Sequence, residues 1–433
     1  MTVYKPVTVN VKKWTLPKEN IMNRNIIFLL PILLITLACL GTPTIAPTNT
    51  PPPIALTFVP GAEVPPPVFP NTPANGGPAS NAQPSGLKVA YVLNGNLWFW
   101  SDATPARQLT NDGDTFRLRL SDDGAVIVYQ RGQSLWAINA DGSSARQLVD
   151  VPAFTGRPLP GTFEFQPNSH RIYFTTRASA PEVIPTDLHR VDADAPAPQT
   201  LLTQDGGEFT FSPDGSLLAL AQTDRINILR ADGSGLVTAF QFQTVNTQSD
   251  WSYIPQVVWM PDSTGFYTVI PAQKSRFMYV MADGSFSAQL AEFSAADLRL
   301  SQPLISPDGS KVAYATQNGT TLDVHLIDAS TADLTVASHP NAPQLGLWAW
   351  SPDSARFAYW IDPVLPLMAG FHIPSTPLVD SITPYSLTWV APDKFIYLRN
   401  GELRLGQLSN PALTVIAAGF SPTDDARVYD FAP

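Results

Sequence analysis

The stretch Phe211 to Ala221, FSPDGSLLALA, joins two short apolar runs through Ser-Pro-Asp-Gly. Pro213 presets φ for a tight turn, Asp214 can bond back to nearby amides, and Gly215 takes the positive φ that other residues resist. The pattern predicts a β-hairpin, and it recurs. It reads LSDDGAVIVY around Asp123, FQPNSHRIYF around Asn168, WMPDSTGFYT around Asp262, ISPDGSKVAY at Asp308 and WSPDSARFAY at Asp353. A one-residue variant, WVAPDKFIYL, holds Asp393. The steps between these positions are roughly 40 to 48 residues, the range of a propeller blade.

A second hairpin signal follows each turn after roughly 17 to 20 residues in most copies. It is LWAINADG to Gly142, INILRADG to Gly233 and MYVMADG to Gly284, with weaker forms ending at Ala195 and Thr331. Each repeat is then four strands, which cannot bury both faces of their sheet unless neighbouring sheets stack radially. The paired motifs resemble the TolB-type, WD-repeat-like propeller family, over about Pro84 to the C-terminus. The resemblance implies an all-β fold, a single propeller, and says little of activity. About 350 residues give about 43 per blade for eight blades and about 50 for seven, so eight is expected and seven is the alternative. Pro84 to Tyr91 aligns with Pro307 to Tyr314 and lacks a preceding strand, whereas Arg427 to Pro433 reads like that strand. The C-terminal segment is therefore expected to close the first blade, residues 427–432 pairing with 87–92. The seventh blade is the least regular, since Asp362-Pro363 and Pro366 break its middle and Pro374 and Pro377 weaken its outer strand.

Ahead of the repeats the chain changes character. Residues 1–21 look like neither signal nor domain, and Met22 is the expected true start. Asn23-Arg24-Asn25 forms a short basic region before the apolar run Ile26 to Ala38, too short for an ordinary span of ~20 residues and read as a signal segment. Cys39, the only cysteine in 433 residues, follows Thr-Leu-Ala. That placement resembles a bacterial lipoprotein box and implies cleavage before Cys39 and its lipidation, an ordinary secretory signal being the alternative. Residues 39–83 are rich in Pro, Thr, Ala and Asn and almost uncharged, as in an extended tether. The expected location is the cell envelope, outside the cytoplasm, with the lipid as the sole membrane contact.

The formal charge of −10 argues against nucleic acid, whose phosphates call for basic patches. No nucleophile elbow, phosphate-cradling glycine loop or Cys/His metal spacing appears, so no cofactor, metal or catalytic residue is assigned. The carboxylates of Asp123, Asp214, Asp262, Asp308, Asp353 and Asp393, with Gly215 and Gly309, are assigned to turns. His189 and His325 share one register of the third strand and are expected to pack blades.

Loop length points to a binding face. In a propeller the first-to-second and third-to-fourth turns share one face, and the second-to-third and fourth-to-first connections share the other. The long insertions all fall in the second set: 151–161, 179–186, 243–255, 271–276 and 362–370. Within them Phe154, Arg157, Trp251, Tyr253, Lys274 and Arg276 form the candidate binding rim, of residue types enriched at hot spots; packing of their own loops is the competing role. The favoured function is a monomeric, non-catalytic scaffold for protein or envelope glycan. The rival is a propeller glycan hydrolase or lyase using carboxylates such as Glu182, Asp187 and Asp250.

Overall fold

A computed structural model describes residues 86–433, except 157–160, 178–184, 248–251, 295, 299, 329–332, 363–364, 384 and the side chains of 411–413. Cys39, the signal segment and the tether lie outside the described residues.

Eight four-stranded antiparallel sheets form a closed ring, a β-propeller. In each blade the strands follow chain order, the first being innermost and the fourth outermost. Blade 1 alone is composite. Its first strand is Tyr429–Ala432, paired with Lys88–Leu93 in the register Lys88↔Ala432 to Tyr91↔Tyr429. The expected closure and blade count both hold.

Alternation along the second strands explains how sheets nest. Tyr91, Tyr129, Tyr314, Tyr359 and Tyr397 occupy one register position and are almost fully buried. Their neighbours on the opposite face are the smaller Ala90, Val128, Ala313, Ala358 and Ile396, also buried. Large rings on one face therefore meet small side chains on the other. Each buried ring contributes about 2–3 kcal/mol of transfer energy.

The Ser-Pro-Asp turns are built as the motif predicts. Asp214 Oδ1 accepts the Ser212 hydroxyl at 2.7 Å and the Ser216 N–H at 3.0 Å. Asp308 does the same with Ser306 and Ser310, and Asp123 with Ser121 and Ala125. Asp353 and Asp262 bond the amides of Ala355 and Thr264. Gly215 and Gly309 have φ of 70° and 68°, and a Cβ on Gly309 would run into the Tyr267 ring of the preceding blade. Asp393 differs. Its turn is a two-residue link between Ala391 and Lys394, and its carboxylate accepts from Gln407 rather than from local amides.

Two expected insertions are corrected. Leu365–Gly370 is the regular third strand of blade 7, paired with Phe357–Asp362 as far as Asp362↔Leu365, so 362–370 is not a long loop. Pro374 and Pro377 sit in the outermost strand Ile373–Pro377, where missing N–H donors are tolerated at a free edge. Lys274 and Arg276 belong to the strand Lys274–Met281, leaving only residues 271–273 as a connection.

Candidate functional site at the channel mouth

The four described residues of the expected rim lie in separate surroundings. Tyr253 is 1% exposed and its hydroxyl donates to Val269 O at 2.9 Å, so its ring is core. Phe154 lies in the short helix Val151–Thr155, capped by Asp150, and meets His189 edge-on at 5.7 Å. Lys274 pairs with Glu292 at 2.9 Å. Arg276 is half-buried opposite Ile270 and Glu292. Arg157, Trp251, Glu182 and Asp250 lie outside the described residues. Asp187 is buried and accepts the Gln204 N–H at 3.1 Å.

The two strand histidines pack as their shared register implies. His189 lies between the hydroxyls of Thr176 and Thr200 and stacks on Phe174. His325 lies between those of Thr316 and Thr335 and stacks on Tyr314.

The side chains with unspent chemistry stand instead on the innermost strands and on the fourth-to-first connections beside them. The first strand of blade 2, Thr115–Leu120, pairs Thr115 with Arg131 and Arg117 with Gln130, leaving Phe116 as the extra residue of a bulge, 43% exposed. The first strand of blade 7, Gly346–Trp350, does likewise: Leu347 faces Tyr359 and Ala349 faces Ala358, so Trp348 is the bulged residue. Bulges re-aim side chains, and they occur at sheet edges and barrel rims as well as beside functional sites.

Trp348 lies 6.0 Å from the Tyr385 ring, and Trp360 meets that ring edge-on at 5.9 Å. Trp360 in turn lies over Gly346, where a Cβ would clash with the indole. Tyr385 is 53% exposed at φ 58°, a conformation bulky residues rarely hold. Its carbonyl accepts the Ala426 N–H at 3.0 Å. Ala426 opens the 3-10 turn Ala426–Val428, which packs on the strand Thr115–Leu120. Tyr385, Arg427 and Arg117 thus occur on consecutive pieces of one rim.

Charge divides between rim and throat. At the rim, Arg117 donates to Gly161 O at 3.0 Å and meets no carboxylate at ion-pair distance among the described residues. Burial, and then the like charges of Arg427 and Arg119, hold it below the usual guanidinium value. Arg427 is exposed and paired with Asp425 at 2.7 Å. Arg177, exposed, lies two residues after Thr175, whose carbonyl accepts the Gly161 N–H at 2.8 Å. Deeper in the channel a cavity of about 400 Å³ is lined by Arg119, Asp122, Glu164, Thr388 and Asp430 among others. There Arg119 Nε donates to both Glu164 oxygens at 2.7 Å, and Asp430 Oδ2 accepts the Leu120 N–H at 2.8 Å. Burial pushes the Asp430 carboxyl above its usual value, against the pull of Arg119.

The opposite face carries a different group. His170 bridges Asp194 at 2.8 Å and Asp123 at 3.1 Å, joining blades 2 and 3. Burial lowers its imidazolium, but the two carboxylates outweigh that and raise it above its usual value. Among the described residues, no group of three or more His, Cys, Asp or Glu is placed to hold a metal ion.

Sequence reasoning missed the rim aromatics because Trp348 and Trp360 stand in strand positions that read as core. The signal that was available is the WAW run Trp348-Ala349-Trp350, where strict alternation would put both indoles on one face.

No protein family description and no curated protein matches the sequence. Solved structures similar to it include an oligogalacturonate lyase in complex with manganese, at 16% identity over 64% of this chain and 82% of that one, TM-score 0.45. TolB from Acinetobacter baumannii is 15% identical over 56% of this chain and 61% of its own, TM-score 0.32. A eukaryotic initiation factor is 10% identical over 78% and 97%, TM-score 0.48. These likenesses are of fold and bring no activity with them.

Proposed function

We propose that the protein is a non-catalytic binding scaffold of the cell envelope, lipid-anchored at Cys39, whose ring captures a protein or glycan at the mouth formed by the second-to-third and fourth-to-first connections. One observation carries this reading: Tyr385, held in a strained backbone conformation between two indoles, presents half of its ring to solvent at that mouth. Strain of this kind costs about 1–3 kcal/mol and persists where the surroundings over-determine it, clustering at active sites, ligand clamps and switch regions. The opposite face offers tight turns whose carboxylates, Asp393 apart, are engaged by their own hydroxyls and amides.

The enzymatic reading draws on Glu164 and Asp430 in the throat. Both are committed, Glu164 to Arg119 and Asp430 to the Leu120 N–H. Glycoside hydrolysis needs two carboxylates across the scissile bond, one of them a raised acid; Asp430 is raised, but Glu164 gives both oxygens to Arg119, so the scaffold reading is preferred.

The test is capture from envelope membranes by the tagged full chain. The double variant Trp348→Ala/Tyr385→Ala is expected to lose its partner while melting within a few degrees of the parent. Asp214→Ala is expected to retain the partner and melt earlier. Capture that survives the first change but not the second would refute the assignment of the face. In the same strain, Cys39→Ser is expected to abolish membrane retention, and normal retention would refute the anchor.

A further inference from the structure

We propose that the ligand at this mouth is an anionic glycan, a sugar ring stacking on Tyr385 beside Trp348 while its carboxylate or phosphate is held by Arg117. The inference rests on the scaffold reading above and specifies its ligand class.

The argument begins with the cation. Arg117 is half-buried, has a single hydrogen bond, to a carbonyl, and lacks a counter-charge at ion-pair distance among the described residues. A guanidinium taken partly out of water is unfavourable unless an anion meets it. The cations near it are Arg427 and Arg119, with Arg177 farther along, and the acid near it is Asp425, already bound to Arg427. Arg427 and Arg119 are already met by Asp425 and Glu164, so the attraction on an incoming anion comes from Arg117 itself, with Arg177 behind it. The planar fork of Arg117 suits a bidentate carboxylate or phosphate. That the chain as a whole is acidic, at −10, confines this attraction to the mouth.

The aromatics point to a sugar rather than a protein loop. Protein interfaces centre on a contiguous desolvated patch. Here the exposed rings fall in two groups, Phe116 on the innermost strand of blade 2 and Tyr385 after blade 7 with Trp348 and Trp360 of that blade beside it, and the turn bearing Arg427 lies between them. Ring faces set on either side of a cation match successive sugar rings, whose apolar faces stack on aromatics while their acids reach sideways.

The test is calorimetric titration of the detergent-solubilised full chain with three probes. They are a hexasaccharide alternating glucuronate and N-acetylglucosamine, its methyl ester, and a phosphorylated oligomannose. The expected result is at least tenfold tighter binding of one anionic probe than of the neutral ester, falling with added salt. Preference for the uronate or for the sugar phosphate identifies the anion. Arg117→Gln should bring that probe down to the ester's affinity, with an unchanged melting temperature. Tyr385→Ala should weaken acid and ester together by about fivefold or more. Equal binding of acid and ester, with both abolished by Tyr385→Ala, overturns the anionic inference and leaves the scaffold standing. Failure of all three probes, or binding only of a glutamate-rich peptide run in parallel, overturns the glycan inference, while the capture experiment decides the scaffold separately.

Discussion

Asp430 Oδ2 accepts the N–H of Leu120 at 2.8 Å, across 310 residues of sequence. This bond ties the last strand of the chain to the innermost strand of blade 2, so closing blade 1 and seating blade 2 are one event. Tyr429 does the same on the other side. Its buried hydroxyl donates to Ser386 O at 2.7 Å and lies 3.0 Å from Thr388 Oγ1, both in the approach to blade 8.

Deleting residues 427–433 should therefore remove the strand Tyr429–Ala432 and leave the buried Tyr91 and Ala90 faces open. No cooperative thermal transition is expected. Tyr429→Phe keeps the ring and strands the carbonyls, costing about 1–2 kcal/mol in urea unfolding. A truncated chain that still melts cooperatively would show that the ring holds without its closing strand.

The Asp430 carboxyl is pushed above its unfolded value by burial. A raised acid stabilises the fold fully at pH below the unfolded value near 3.8, and that contribution is lost as pH climbs through the raised folded value. Asp430→Asn keeps an acceptor for Leu120 and removes the buried charge. It should match the parent near pH 3.5 and be at least as stable at pH 7, by about 2 °C in melting temperature. A variant that is less stable at pH 7 than at pH 3.5, relative to the parent, would show that the Arg119 attraction outweighs desolvation.

How much was legible in the sequence follows from what repeats. The turn at Asp214 repeats with its serine, and so its hydroxyl and amide bonds, the blade count and the closing strand were all readable in advance. What does not repeat in every blade was not. Phe116 and Trp348 are bulged by local register shifts, which leave no periodic trace. Tyr253 reads as a loop aromatic because it sits in a long connection, yet its ring is buried and its hydroxyl finds Val269 O. The segment 362–370 looked broken by prolines, yet Pro366 stands opposite Trp360 within a paired strand.

Asp214 offers a pH test of the repeating turn. Bonds from the Ser212 hydroxyl and the Ser216 N–H push its carboxyl down to about 2. A depressed acid contributes above its unfolded value near 3.8, and that contribution is lost as pH falls toward the folded value. Asp214→Ala should cost about 1 kcal/mol at pH 7, as for a lost turn hydrogen bond. The difference between the two proteins should shrink between pH 4 and pH 2. A difference that stays constant over that range would mean the variant loses packing rather than the ionised acceptor.

The position after the aspartate carries a second function in two blades. Gly215 and Gly309 fill it where only the positive φ matters, but Ser263 and Ser354 hold φ of 61° and 57° there. Each offers its hydroxyl oxygen to the preceding blade, Ser263 to the Asp214 N–H at 3.3 Å and Ser354 to the Asp308 N–H at 3.0 Å. The strained backbone thus coexists with a link between blades. Ser354→Gly should relieve about 1 kcal/mol of backbone strain and lose a bond worth about 1 kcal/mol, leaving stability nearly unchanged. Ser354→Ala keeps the strain and loses the bond, so it should cost about 1 kcal/mol. Hydrogen exchange at the Asp308 amide should quicken in both variants. If alanine proves no worse than glycine in urea unfolding, or that amide keeps its protection, the hydroxyl does not hold blades 6 and 7 together.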